Sequence, residues 1–325
     1  MKKAGRNEMG TMKAIICPKY GPADVLQIRQ INKPIHRQDE VLIKIYATSV
    51  TNSDLFIRSS NIPSKMMRIP FRLMMGLRGP RNPIIGEVFS GRIEAVGFDI
   101  KRFKPGDKVY GLTGFSLGGY ADYKCMKEVD SKQGCLAIMP DNISYEEATS
   151  AAYGGLLAIQ YMEKGNIKKD NKVLIYGASG TTGTFAVQYA KHLGATVTAV
   201  CGTKNLEFIK SLGADNVVDY TRQDAISQLV KYDFVLDAVG KSKTSALKKA
   251  CVKALSKNGK YGSIDESPLL LKSDRLNQIT KMVEAGAVNP VNDRVYSFEQ
   301  IIEAHKYVET GHKRGNVAVT VNFDQ

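Results

Sequence analysis

The sequence predicts an α/β chain in two parts: a compact β-barrel in the first half, then a parallel sheet with helices on both faces. Three observations carry this. The run Lys172-Val173-Leu174-Ile175-Tyr176-Gly177-Ala178-Ser179-Gly180-Thr181-Thr182-Gly183 joins a β-prone stretch to three glycines spaced three apart. Apolar strands then alternate with helical segments to the end of that half. The first half instead shows short alternating strands punctuated by Gly and Pro-Gly turns.

In chain order, Met1 to Thr11 is basic, with no apolar stretch ending in a small-residue cleavage site, and reads as a loose extension rather than a signal peptide. The first strand starts at Met12-Lys13-Ala14-Ile15-Ile16. Val41 to Ala47 alternates like a half-buried strand. Ile84-Ile85-Gly86-Glu87, the strand Gly91 to Gly97, the turn Pro105-Gly106-Asp107 and Gly118 to Tyr123 continue the barrel. Ser144 with Glu147 three residues on forms a capping box, so a helix from Ser144 to Glu163 leads into the second half.

Lys172 to Tyr176 is the first strand of that half, and Ala186, Val187, Ala190 and Leu193 mark a helix closed by Gly194. A strand over Thr196 to Val200, a helix from Asn205 to Leu212, strands at Val217-Val218 and at Tyr232 to Leu236, a Lys- and Ala-rich helix, and a strand from Lys260 to Ile264 follow. A tight glycine turn between strand and helix exposes backbone N–H groups at a helix start and lets a pyrophosphate approach closely, so a dinucleotide is expected at residues 177–183. The spacing is G-x-x-G-x-x-G rather than G-x-G-x-x-G, so the α/β context carries much of this reading.

The acid that would bond a ribose 2′-hydroxyl should stand after the second strand of this half. Cys201-Gly202-Thr203-Lys204-Asn205 stands there, with no carboxylate. A hydroxyl and an ammonium suit a 2′-phosphate, so NADPH is expected, with Lys204 as lead partner and Thr203 beside it. The alternative for Lys204 is a solvated lysine at a helix start. Tyr220 is either a further phosphate contact or a strand-end aromatic.

At 325 residues the chain suits two domains, and its 43% hydrophobic and 24% charged content is that of an ordinary globular protein. No apolar run approaches a membrane-crossing length. Five scattered cysteines, odd in number and without a C-x-x-C, fit reduced thiols in a cytoplasmic protein. The formal net charge is +14, which attracts anions of every kind, yet most lysines alternate with acids along helices. The densest basic stretch, Lys65, Arg68, Arg72, Arg78 and Arg81, is interleaved with Met66, Met67, Phe71, Leu73, Met74 and Met75 and broken by Pro63, Pro70, Pro80 and Pro83. It reads as a packing loop with a short helix, a cover for a substrate channel, or a membrane-surface face.

The order of these pieces resembles the medium-chain dehydrogenase/reductase superfamily in its quinone oxidoreductase (zeta-crystallin-like) branch. The pieces are the β-rich first half with Pro105-Gly106-Asp107, then Tyr153-Gly154-Gly155-Leu156, the 177–183 glycines, Ser211-Leu212-Gly213-Ala214-Asp215 and the closing Gly315-Asn316-Val317. The resemblance covers Met12 to Val321. It implies a GroES-like catalytic domain of residues 12–143 and 291–325 and a Rossmann domain of residues 144–290, with the active site in the cleft between them. It implies coenzyme contacts from Ser179, Gly180, Thr181, Thr182, Thr203, Lys204, Tyr220, Ala238 and Val239, with Asn316 on the nicotinamide side.

The superfamily's alcohol dehydrogenases hold a zinc ion with cysteines and a histidine. The matching positions here are Thr51, Glu87 and a site at or near Tyr153, so no metal is expected. Without a Lewis acid a simple alcohol does not easily become an alkoxide, whereas a quinone or an α,β-unsaturated carbonyl needs less help. The expected function is hydride transfer from NADPH to such an acceptor. Thr51, Asp54 and Tyr153 are the candidate catalytic groups. Thr51 stands where the family has an asparagine, and Phe56 where many members have a tyrosine. Asp54 is as well explained as a turn or cap residue. Glu87 is expected to pair with an arginine such as Arg58 or Arg92.

Only Asp265 to Asn292 separate the last strand from the returning segment, fewer residues than the family usually spends, which leaves a homodimer open. Two other readings stand beside the main one. One is an enoyl thioester reductase, with the 65–81 stretch meeting CoA phosphates. The other is a non-catalytic NADPH-binding protein that attaches to nucleic acid or membrane. The first reading requires a small-molecule substrate and no nucleic acid.

Overall fold

The structure, a computed structural model, describes residues 10–61, 68–241 and 244–322. The first half opens with β1 (Thr11–Ile16) and β2 (Gln27–Asn32), a separate antiparallel pair. Then come β3 (Glu40–Ser49), α1 (Asn52–Ser59), α2 (Arg68–Met75), β4 (Val88–Val96), β5 (Lys108–Leu112), β6 (Tyr123–Lys127) and β7 (Cys135–Ile138). β3 is the hub of this sheet. It pairs with β4 along one edge, with register shifts between Leu42 and Ile43 and between Ile45 and Ala47, and with β6 along the other.

The helix α3 (Tyr145–Met162) begins at the Ser144–Glu147 capping box, with the Glu147 N–H donating to Ser144 Oγ at 3.2 Å. The second half follows with β8 (Lys172–Tyr176), α4 (Thr181–His192), β9 (Thr196–Cys201), α5 (Leu206–Ser211), β10 (Asn216–Asp219), β11 (Tyr232–Asp237), α6 (Ala246–Lys253), β12 (Leu255–Ser263) and α7 (Ser273–Glu284). Its strands form one parallel sheet ordered β10-β9-β8-β11-β12. The chain runs outward from β8 to β10, then crosses back to β11. The crevice beyond the ends of β8 and β11 is therefore the switch point where ligands bind in such sheets.

The last elements are β13 (Asn292–Ser297), α8 (Ile301–Glu309) and β14 (Asn316–Thr320). They return to the first half: β14 pairs with β13 on one side and with β3 on the other. One apolar core runs through α3, from Val88, Tyr110 and Leu112 of the first sheet to Ile175 and Leu236 of the second and Ala186 of α4. Tyr110 is fully buried and donates to the Leu276 carbonyl of α7 at 2.7 Å, which ties the halves together.

In the basic stretch, α2 exposes Ile69, Leu73 and Met74 and buries Met75. Arg72 bonds Ser60 Oγ at 3.0 Å and lies over the Tyr20 ring, and Arg81 holds the Leu73 carbonyl at 2.8 Å. The part of that stretch carrying Pro63, Lys65, Met66 and Met67 lies outside the described residues.

Candidate active site

The glycine turn is shaped by three different needs. Gly177 has φ +83°, a backbone that side-chain-bearing residues rarely adopt, and a Cβ there would meet Val239 Cγ2 at 2.5 Å. A Cβ on Gly183 would meet the Gly177 carbonyl oxygen at 2.3 Å, so this glycine lets α4 pack onto the end of β8. Gly180 differs: a Cβ there would meet only Gly177 O, at 3.7 Å. Packing does not require that glycine. The open space over it fits an approaching diphosphate, and the first-turn N–H groups of α4 have no intrahelical acceptors. Ser179, Gly180, Thr181 and Thr182 thus lie together at the switch point. Ala238 and Val239 follow β11 beside them, with Val239 over Gly177. Buried Asp237 shapes that neighbouring turn by accepting the Val239 and Gly240 N–H groups at 3.0 and 3.1 Å.

At the adenosine end, Thr203 and Lys204 form a short turn after β9, and the Tyr220 hydroxyl lies over Gly202, where a Cβ would be 3.0 Å from it. Sequence reasoning missed two groups here. Asp219, from the end of β10, accepts from Thr203 Oγ1 at 2.6 Å and from Thr221 Oγ1 at 2.8 Å. A carboxylate does therefore stand near this loop, but it is buried and its oxygens are occupied by those hydroxyls. Arg314, just before β14, bonds Asn205 Oδ1 at 3.1 Å and the Lys204 carbonyl at 3.4 Å while lying over the Phe208 ring. It fixes the Lys204 loop from the far end of the sequence.

Asn316 does not present its amide to the cleft as expected. It is 1% exposed, and its Nδ2 donates to Thr149 Oγ1 and Asn292 Oδ1, both at 3.1 Å. It anchors β14 to α3 and β13.

On the substrate side, Thr51 is the N-cap of α1. The Asp54 N–H donates to Thr51 Oγ1 at 3.2 Å and the Thr51 N–H to Asp54 Oδ2 at 2.9 Å, a reciprocal capping box. The Thr51 hydroxyl donates to the same oxygen at 2.7 Å. Two expected catalytic residues are thus engaged with each other, and Asp54 is fully buried.

The chief neighbour is Glu87, half-buried just ahead of β4. The expected pairing of Glu87 with Arg58 is not made: Arg58 turns away under α1 to an ion pair with Glu309 of α8. Glu87 instead faces a second carboxylate. Burial pushes its pKa up, and the Asp54 charge pushes it further in the same direction, to about 8. Burial raises Asp54 as well. Two carboxyl groups in such a place resist losing both protons at once, and both are raised, Glu87 further than Asp54.

From this acid a line of hydroxyls runs to α3. Ser53, on α1, contacts the Glu87 carboxyl and lies 3.3 Å from the Tyr153 hydroxyl. Burial raises the Tyr153 phenol far above its ordinary range, with Glu87 adding to the effect, so it stays protonated. α3 brings Tyr153 there because the next residue is Gly154, whose Cβ would meet the Thr181 carbonyl at 2.6 Å. The backbone of α3 at this point therefore packs against the first turn of α4. Beneath the carboxyl pair, Tyr120 bonds His305 Nε2 at 3.1 Å, and burial, with the Arg58 charge adding, pushes His305 down to about 3 and keeps it neutral.

The donor set at the zinc-ligand positions does not fit zinc. Thr51 offers a hydroxyl already given to a carboxylate, and Tyr153 a phenol that holds its proton. Among the described residues, no group of three or more His, Cys, Asp or Glu is placed to hold a metal.

The alcohol dehydrogenase GroES-like domain family matches residues 37–139, and zinc-binding dehydrogenase families match residues 181–264 and 266–319. The chain is 31% identical to the NAD(P)H oxidoreductase RTN4IP1, mitochondrial, of Danio rerio, over 97% of this chain and 92% of that protein. It is 29% identical to 2-methylene-furan-3-one reductase of Solanum lycopersicum, over 95% of this chain and 79% of that one. The quinone oxidoreductase structure from Coxiella burnetii superposes with a TM-score of 0.81 at 24% identity, over 96% of this chain and all of the other, and shares the fold. Fold, glycine turn and these relatives agree: the chain belongs to the medium-chain dehydrogenase/reductase superfamily and is an NAD(P)H-dependent oxidoreductase.

Proposed function

We propose that the protein reduces quinones or α,β-unsaturated carbonyls with NADPH, without a metal ion. The observation that carries this is the Tyr153 hydroxyl, which lies 3.3 Å from Ser53 Oγ, with Glu87, raised by burial, behind Ser53. Bound NADPH would supply the hydride. The chain supplies the rest. The turn at 177–183 and the amides of α4 orient the coenzyme, which gives the rate advantage of a fixed approach. Tyr153 donates a hydrogen bond to the acceptor oxygen, and the proton it gives up returns from Glu87 through Ser53. One hydride and one proton complete the two-electron reduction of the acceptor.

Lys204 and Tyr220 support the choice of NADPH, since an ammonium and a phenol face the adenosine end and the carboxylate of Asp219 is occupied. The named activities of relatives also support the reading: alkenal/one reduction in Arabidopsis thaliana and quinone reduction in Triphysaria versicolor. We assign residues 12–143 and 291–325 to the catalytic domain and 144–290 to the coenzyme domain. Five free cysteines support a reducing compartment such as the cytoplasm. Among the described residues, the sheet has no strand beyond β12, so a homodimer through that edge belongs to the same proposal.

The test is an acceptor screen following nicotinamide absorbance, with NADPH and NADH, on a naphthoquinone, an alkenal, crotonyl-CoA and a simple ketone. Turnover of the naphthoquinone or alkenal with NADPH is expected. Turnover of crotonyl-CoA alone would replace the substrate class with enoyl thioesters. No oxidation with any acceptor, despite NADPH binding, would overturn the enzyme.

A further inference from the structure

The segment between α8 and β14 lies directly on the coenzyme turn. The Gly315 N–H donates to the Ser179 carbonyl at 2.8 Å, and Gly180 and Gly315 form a parallel bridge. Lys313 sits in this contact. Its Nζ lies 2.5 Å from Thr181 Oγ1, at the first residue of α4, and 2.7 Å from the Gly315 carbonyl oxygen. Both partners are neutral. The acid it senses is Asp293, whose Oδ2 is taken by the Tyr307 hydroxyl and the Arg314 N–H. Burial pushes the Lys313 ammonium down to about 8.

A desolvated ammonium without a carboxylate partner is costly, and its third N–H has no acceptor in these contacts. It stands where a helix start and an open glycine already favour an anion. Resting on the coenzyme reading above, we infer that Lys313 is the cation that receives the coenzyme's diphosphate. It thereby latches the C-terminal strand of the catalytic half onto the coenzyme half. The same position explains the hydrogen bond to Thr181: the hydroxyl holds the ammonium at the turn until the diphosphate arrives.

Calorimetric titration of the full chain and of Lys313→Met and Lys313→Arg tests this, with NADPH and with adenosine 2′-phosphate, which lacks the diphosphate. Lys313→Met should weaken NADPH about tenfold or more, and Lys313→Arg should restore part of the loss. Adenosine 2′-phosphate should bind both variants as it binds the wild type. Without ligand, the melting temperature of Lys313→Met should stay level or rise, since removing an uncompensated buried charge is not destabilising.

An NADPH affinity within about twofold of wild type would overturn the inference. So would an equal loss for adenosine 2′-phosphate, or a fall in the ligand-free melting temperature, since both mark a structural role. Wild-type protein that binds neither NADPH nor NADH would instead remove the coenzyme reading on which the inference stands. If it binds NADH alone, NADH and adenosine, which lacks the 5′-phosphate, replace the two ligands and the same outcomes decide.

Discussion

The coenzyme turn and the substrate-side cleft are built in opposite ways. The turn is local: residues 177–183 fold on themselves, and their chemistry is that of backbone N–H groups and missing side chains. The substrate side is assembled from α1, the residue ahead of β4 and α3, and its chemistry is that of two neighbouring carboxyl groups and the hydroxyls beside them. A site made of backbone tolerates little change in shape. A site made of side chains tolerates shape change but depends on charge.

The largest expected effect is on the turn. Gly183→Val places a side chain on the Gly177 carbonyl and should abolish measurable NADPH binding while costing about 1–3 kcal/mol of stability, read by calorimetry and chemical unfolding. If the variant binds coenzyme normally, the turn is not backbone-determined. Next comes Glu87→Gln, which keeps the shape and removes the proton. It should lower kcat on the order of 10²-fold with little change in the KM for NADPH.

The same acid sets the pH profile. The proton on Glu87 is present below about 8 and lost above it, so wild-type kcat should fall as pH rises through that value and the Gln variant should not follow. Asp54, Tyr153 and Tyr120 face the same carboxyl group, and both phenols stay protonated across this range. A parallel fall in both proteins would move the titration to another group. Lys204→Ala should raise the KM for NADPH about tenfold and leave that for NADH nearly unchanged. Smallest, Thr51→Ala removes the cap of α1 and should cost about 1 kcal/mol of stability with kcat within a few-fold of wild type.

That contrast also explains what could be read in advance. The glycine run, the parallel strands and the Ser144–Glu147 cap depend on neighbours in sequence, so spacing reveals them. Thr51 and Asp54 showed as a motif, but the same spacing serves a capping box and a catalytic pair, and only burial separated the two uses. The pairing expected between Glu87 and Arg58 failed because α1 turns Arg58 toward α8, a packing choice made by residues 251 positions apart. Lys313 and Arg314 were missed for a related reason. They follow α8 and gave no motif of their own, yet β14 returns them to a turn formed much earlier in the chain. Asn316 was placed on the nicotinamide side by analogy, while its buried amide is satisfied within the protein.

The apolar core that passes through α3 has a consequence for traffic into the cleft. Swinging the two halves widely apart would strip Tyr110, Leu112 and Leu276 of their packing and wet them. Substrate admission is therefore expected without separation of the two halves. Heated slowly, such a molecule should show a single calorimetric transition rather than two, because neither half keeps a complete interior once the other has melted.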